Sequence, residues 1–297
     1  MNLRAVLYIL LTGLFLLHSA KAQINVELQF QRNTFLVDEP AQAILRITNM
    51  AGRDITLGAN SGSEPWCQIQ VSAVRGDSPS PRRNNPVFPP LFMKAGETIS
   101  RSVNVTEVYD MSLPGQYRVK ASIIPPQGRN LIVTAPAYIT VDPGKMIWNT
   151  AVGVPEGKTG AGGTRVFSVI QLQRKEGIFL YAKLEDQEGG WRFPPYLLGR
   201  LLSAMHPQAQ IDRDNNLYVF HAVNDETYML SQIDVDSGRS GQATYRSKTP
   251  RAGRPSLQRQ PDTGKLVIVG GIRVKDTDLP AQSAPERSKL SDRPEGF

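Results

Sequence analysis

The stretch INVELQF, residues 24–30, decides the fold class. Ile24, Val26, Leu28 and Phe30 fall on one side of an extended chain, and Asn25, Glu27 and Gln29 fall on the other. A period of two with this contrast predicts a strand that lays one face on a core and the other in water. The chain around it has 297 residues, 40% of them hydrophobic, 7% aromatic and 21% charged, which is enough apolar material for one large or two ordinary domains. Its 25 Gly and 22 Pro follow no collagen-like period and suit short strands separated by turns. A single Cys excludes an internal disulfide framework and any Cys-rich zinc module.

Moving outward from INVELQF, the same alternation recurs. Asp38, Glu39 and Pro40 punctuate the chain, Ala43, Leu45 and Ile47 then alternate with Ile44, Arg46 and Thr48, and Gly52 to Asp54 make the next turn. Cys67, Ile69, Val71 and Ala73 share a face, so the thiol is expected to be buried and inert. The insert from Gly76 to Pro90 holds Pro79, Pro81, Pro86, Pro89 and Pro90, too many for a central strand, and is expected as an exposed loop. Ile99, Val103 and Val105 return to alternation, followed by Tyr117, Val119, Ala121 and Ile123 and by Ala137, Ile139 and Val141. About seven strands result, the number an immunoglobulin-like sandwich needs.

The segment FLVDEPAQAILRITNMAGRDITL, followed by LPGQYRVKASI, resembles the immunoglobulin-like modules of exported bacterial proteins. The resemblance implies a sandwich in which Tyr117, behind Leu113, Pro114 and Gly115, is the corner tyrosine whose hydroxyl bonds nearby backbone. The Cys, Trp, Cys spacing of antibody domains is absent, since Cys67 stands alone with Trp66 beside it. Exported modules of this build commonly bind, so a glycan or an envelope protein is the partner that the resemblance implies.

Residues 1–22, MNLRAVLYILLTGLFLLHSAKA, combine Arg4, an apolar run from Ala5 to Leu17 and an A-x-A exit at Ala20 and Ala22. This is the pattern of a secretory signal peptide cut before Gln23, and it predicts an exported, periplasmic or extracellular product. The formal net charge of +7 becomes +5 when Arg4 and Lys21 leave. The expected organisation is a sandwich at 23–148, a Gly-rich linker at 149–164, a second all-β, antiparallel domain at 165–274, and a disordered polar tail at 275–297. Within the second domain, PQAQIDRDNNLYVFHA from Pro207 and PSLQRQPDTGKLVIVGG from Pro255 align at an offset of 48 with Asp214 over Asp262, and at 49 where LYVFH meets LVIVG. An earlier copy around Ile178 to Trp191 puts Ala182 forty residues before Ala222. Such periods resemble propeller blades, and a compact sheet domain is the preferred reading.

Four constellations invite chemistry. Glu156-Gly157-Lys158-Thr159 approaches a phosphate-binding loop, but the position that requires glycine holds Val152, so a linker is preferred. Asp212, Asp214 and Asn216 have the oxygen density that calcium takes, and are also what a hairpin turn demands; the turn is preferred. His206 and His221 lack the helical spacing of a zinc pair. Between Ser237 and Pro261 no acidic residue balances Arg239, Arg246, Lys248, Arg251, Arg254 and Arg259, which could give a loose and salt-dependent attraction for a polyanion; a solvated, soluble loop is preferred. The resulting expectation is a non-catalytic binding or accessory protein of the bacterial cell envelope. The rival is a carbohydrate-active enzyme, or a subunit of one, using carboxylates such as Asp212, Asp214, Asp225 and Glu226.

Overall fold

A computed structural model describes residues 24–58, 65–82, 88–126, 130–187, 193–248 and 253–274. The expected leader at 1–22 and the expected tail at 275–297 lie outside the described residues. The fold is all-β with one short helix, and the chain divides into two compact units, Met1–Pro143 and Gly144–Phe297. Among the described residues no helix is long and apolar enough to cross a membrane.

In the first unit β1 (Ile24–Phe30), β3 (Gln42–Asn49) and β7 (Thr98–Asn104) form one antiparallel sheet in the order β1-β3-β7. A second sheet runs β2 (Thr34–Leu36), β10 (Ala137–Asp142), β8 (Gly115–Ile123), β5 (Cys67–Ala73), with β9 (Ile132–Val133) on β8. Among the described residues of this unit, only the β2 pairing with β10 is parallel. A third, two-stranded sheet joins β4 (Ile55–Leu57) to β6 (Leu91–Met93). Alternation decides what goes inside: Ile24, Val26 and Leu28 of β1 and Ala43, Leu45 and Ile47 of β3 share one core with Cys67, Ile69, Val119, Ala121 and Ile139 of the second sheet. Each large aliphatic side chain so buried contributes about 1.5–3 kcal/mol. Val105, expected in a strand, instead starts the four-residue helix α1 (Val105–Val108), yet stays in the core because one helical turn also brings Val108 inward.

Two polar contacts fasten the rims of this unit. The Tyr117 hydroxyl donates to the Leu113 carbonyl at 2.6 Å, closing the corner where the chain enters β8. The indole N–H of buried Trp66 donates to the carbonyls of Phe88 and Pro89, which pins the far end of the proline-rich insert. Residues 76–82 of that insert form no strand and are largely exposed.

The second unit opens with a four-stranded antiparallel meander, β11 (Lys145–Gly153), β12 (Thr164–Arg174), β13 (Gly177–Asp186) and β14 (Tyr196–Leu201). A second meander follows, β15 (Gln208–Ile211), β16 (Leu217–Ala222), β17 (Thr227–Asp234) and β18 (Gly238–Ser247), with β21 (Gly271–Arg273) on its far edge. The hairpin of β19 (Ser256–Arg259) and β20 (Leu266–Val269) completes it. Phe167, Val169, Leu180 and Leu198 of the first meander share a core with Leu217, Val219 and Ile233 of the second. On the reverse of β16, Phe220 and Ala222 pack with Tyr228 and with Leu257, Leu266 and Ile268 of the hairpin. LYVFHA therefore reads as one apolar run because both faces of β16 are covered.

Two sequence expectations change here. Residues 149–153 are not linker: they belong to β11, whose pairing with β12 is set by Trp148, Thr150 and Val152, and only 154–163 is a Gly-rich turn. The repeat at 48 and 49 residues corresponds to two hairpins, since β15 and β19 start 48 apart and β16 and β20 start 49 apart. The forty-residue match does not join like with like, because Ala182 sits on the third strand of its meander and Ala222 on the second. Trp191, at the end of that match, lies outside the described residues.

Candidate functional site

Of the carboxylates singled out from sequence, Asp212 holds a turn, whereas Asp214, Asp225 and Glu226 are exposed. Asp212 accepts the amides of Asp214 and Asn216 on one oxygen, at 2.9 and 2.8 Å, and the Asn216 side-chain amide on the other. Asn216 is itself buried and accepts the buried amide of Val235 at 3.1 Å, which ties this turn to the next. There Asp234 accepts the amides of Asp236 and Ser237 and the Ser237 hydroxyl. Burial works to raise the Asp234 carboxyl, but those donors and Lys158 together hold it below the usual carboxylate range. Among the described residues no group of three His, Cys, Asp or Glu is placed to hold a metal ion.

The Gly-rich turn at 154–163 docks on the same place. Lys158 pairs with Asp234 at 3.4 Å and the Thr159 amide donates to Asp236 at 3.1 Å, so the groups that would wrap a phosphate already face carboxylates. Beneath them lies Arg165, 2% exposed, whose guanidinium donates to Asp186, to the Val235 carbonyl and to the Thr159 carbonyl at 2.6 Å. A buried charge needs such a full set of acceptors, and this one joins β12 to both turns. No local pattern in the sequence sets Arg165 apart, because two of its partners, Asp186 and Val235, lie 21 and 70 residues along the chain.

Of the six cations of the basic run, Arg246, Lys248, Arg254 and Arg259 have described side chains. Arg246 and Lys248 are exposed. Arg239 stands in β18, with its side chain outside the described residues, as is the whole of Arg251. Arg259 is turned back on its own framework, donating to the Gly264 carbonyl at 2.9 Å and to the Ile211 carbonyl. The guanidinium clamps the β19–β20 hairpin onto the end of β15. Arg254 is exposed and stands at the edge of a cavity.

Among the described residues, the hollows of the second unit include a larger and a smaller one. One, about 380 Å³, lies between the Asp212–Asn216 turn and the Thr263–Leu266 segment, and is lined by Asp212, Asp214, Arg213, Tyr218 and Lys265. Burial first, then the charges of Asp212 and Asp214, push the Tyr218 hydroxyl up. The other, about 250 Å³, opens on the hairpin side of the second meander between Met205, His206, Gln208, Phe220, Tyr228, Arg254 and Pro255. Phe220 and Tyr228 of its lining stack on each other at 5.5 Å and 10°, and Tyr245, behind them, meets Phe220 edge-on at 6.0 Å. The sequence signal for this stack was the pair Phe220 and Tyr228 itself, but their contact depends on the register that sets Ala222 opposite Tyr228.

His221 also borders this cavity, yet strand alternation points its ring the other way from Phe220 and Ala222. A Cβ on Gly199 of β14 would lie 3.5 Å from its Nε2, which places the ring between the two meanders. It is 1% exposed, and neither ring nitrogen makes a hydrogen bond of acceptable geometry. Burial pushes His221 down to about 4; the nearby Arg200 backbone favours the proton only weakly.

The chain matches no protein-family model and no curated protein sequence.

Proposed function

We propose that this chain is an exported, non-catalytic binding protein of the bacterial cell envelope, in which an immunoglobulin-like sandwich carries a second β domain of propeller-like sheets that recognises a glycan. The sandwich reading is supported by the corner made by Tyr117 with Leu113 and by the core shared between the β1-β3-β7 and β2-β10-β8-β5 sheets. The propeller-like reading is supported by two consecutive meanders followed by a hairpin that repeats the start of the second.

One contrast carries binding over catalysis. One Asp212 oxygen and one Asp234 oxygen are committed to backbone amides and the second Asp212 oxygen to the Asn216 side-chain amide, whereas polar groups at the smaller cavity offer donors beside aromatic rings. General acid–base work needs a carboxyl group tuned toward neutrality. Asp234 moves the opposite way, held below the usual carboxylate range by the donors around it.

Retention of the purified chain on immobilised envelope glycans tests the reading, with a parallel assay for new reducing ends. Retention without cleavage is the expected result; turnover, or indifference to every glycan, overturns it. Intact mass of the protein recovered from outside the cytoplasm should match a chain beginning at Gln23.

A further inference from the structure

We propose that the cavity over Phe220 and Tyr228 binds one hexuronic acid residue, a sugar ring bearing a carboxylate; this rests on the glycan-binding reading above. Size comes first. At about 250 Å³ the hollow falls below the roughly 300–1,000 Å³ that holds drug-sized ligands, which suits a single ring rather than a long oligomer.

Chemistry narrows the class further. The lining residues include no carboxylate, and the polar ones offer donors. Gln208 has its side-chain oxygen fixed by the Leu257 amide at 2.6 Å, which orients the side chain and leaves the Nε2 donors to face a ligand. Arg254 makes no ion pair with a described residue, and a guanidinium fork matches a carboxylate with two parallel hydrogen bonds. The Tyr228 hydroxyl makes no hydrogen bond among the described residues, although its ring is held by Phe220. Half-buried Met205, beside the buried Phe220 and Pro255, supplies apolar surface for the C–H face of a sugar ring. Arg246 and Lys248, with no acidic residue between Ser237 and Pro261, add a positive field without lining the hollow.

The test titrates the full chain with glucuronate, galacturonate, glucose and polygalacturonate at moderate salt, following binding by calorimetry. Both uronates should bind and glucose should not. Arg254→Gln should weaken uronate binding at least tenfold with an unchanged melting temperature, Tyr228→Phe should weaken it less, and the double variant Arg246→Gln, Lys248→Gln should leave it within twofold. Binding of the free monosaccharides places the whole determinant in one ring; binding of polygalacturonate alone, equal binding of glucose, or an equal loss in the double variant overturns the proposal. If the chain is retained on envelope glycans but ignores uronates, this site fails and the broader reading stands. If it is retained on nothing, both fail.

Discussion

Two residues of the second unit separate kinds of stability that look alike by burial alone. His221 is neutral in the fold because burial holds its proton affinity down, to about 4 from 6.5. The unfolded chain binds that proton more readily, so the neutral ring contributes stability that is full above about pH 6.5 and is lost as the pH falls toward 4. At about 1.4 kcal/mol per unit the loss amounts to about 3 kcal/mol. Thermal melts at pH 7 and pH 5 should therefore diverge for the natural chain and converge for His221→Leu; equal slopes in both would remove His221 from the account. Gly238 makes the complementary case. Its φ of +84° is left-handed and a Cβ there would stand 2.0 Å from the Tyr196 hydroxyl oxygen. Gly238→Ala should cost the conformational penalty of about 1–2 kcal/mol and the displacement of Tyr196 besides. Gly52→Ala, at φ +70° with nothing within 4 Å, should cost the conformational part alone. Denaturant midpoints of the two variants measure the difference.

At the scale of elements, the turns after β15 and β17 are coupled through one side chain. Asn216→Ala strips the buried Val235 amide of its acceptor, a loss of about 1–3 kcal/mol, whereas Asn215→Ala, on the exposed side, loses only a contact to the Gly153 carbonyl and a tolerated left-handed φ. Because Asp212 is already satisfied by amides, millimolar calcium should leave the melting temperature where it is; a rise of several degrees would restore the cation reading of Asp212, Asp214 and Asn216. The same strands show what a sequence can reveal. β1, β3 and β5 were legible because one face of each is packed and the other is wet or only partly covered, which leaves a period of two. β11 was hidden by the opposite circumstance: only Val152 is buried along it, so no alternation marks it and the glycines that follow dominate the reading. β16 was recognisable as a strand but not as a middle layer, since Val219 and Phe220 face different cores. The cavity was hardest to see. Arg254 stood out only as one cation among six, and the stacked rings that share its cavity are assembled by pairing between strands.

For the whole molecule, the division after Pro143 carries an energetic claim. Among the described residues, every buried residue of the first core lies between Ile24 and Val141, and those of the cores built around Phe167 and around Phe220 in the second unit lie between Val152 and Leu257. The backbone ladders obey the same division: β10, the last strand of the first unit, ends at Asp142, and β11, the first of the second, begins at Lys145. A unit with its own core and its own ladder has what independent folding requires. Residues 24–143 expressed alone should therefore unfold in one cooperative transition, with the Tyr117 corner intact and the Cys67 thiol, pushed up to about 12 by burial, unreactive until that transition. In the full chain, Asn216→Ala should shift the unfolding of the second unit and leave thiol protection at Cys67 unchanged. A fragment that exposes Cys67 at once, or an Asn216 variant that opens both units together, would show that the first core depends on residues beyond Pro143.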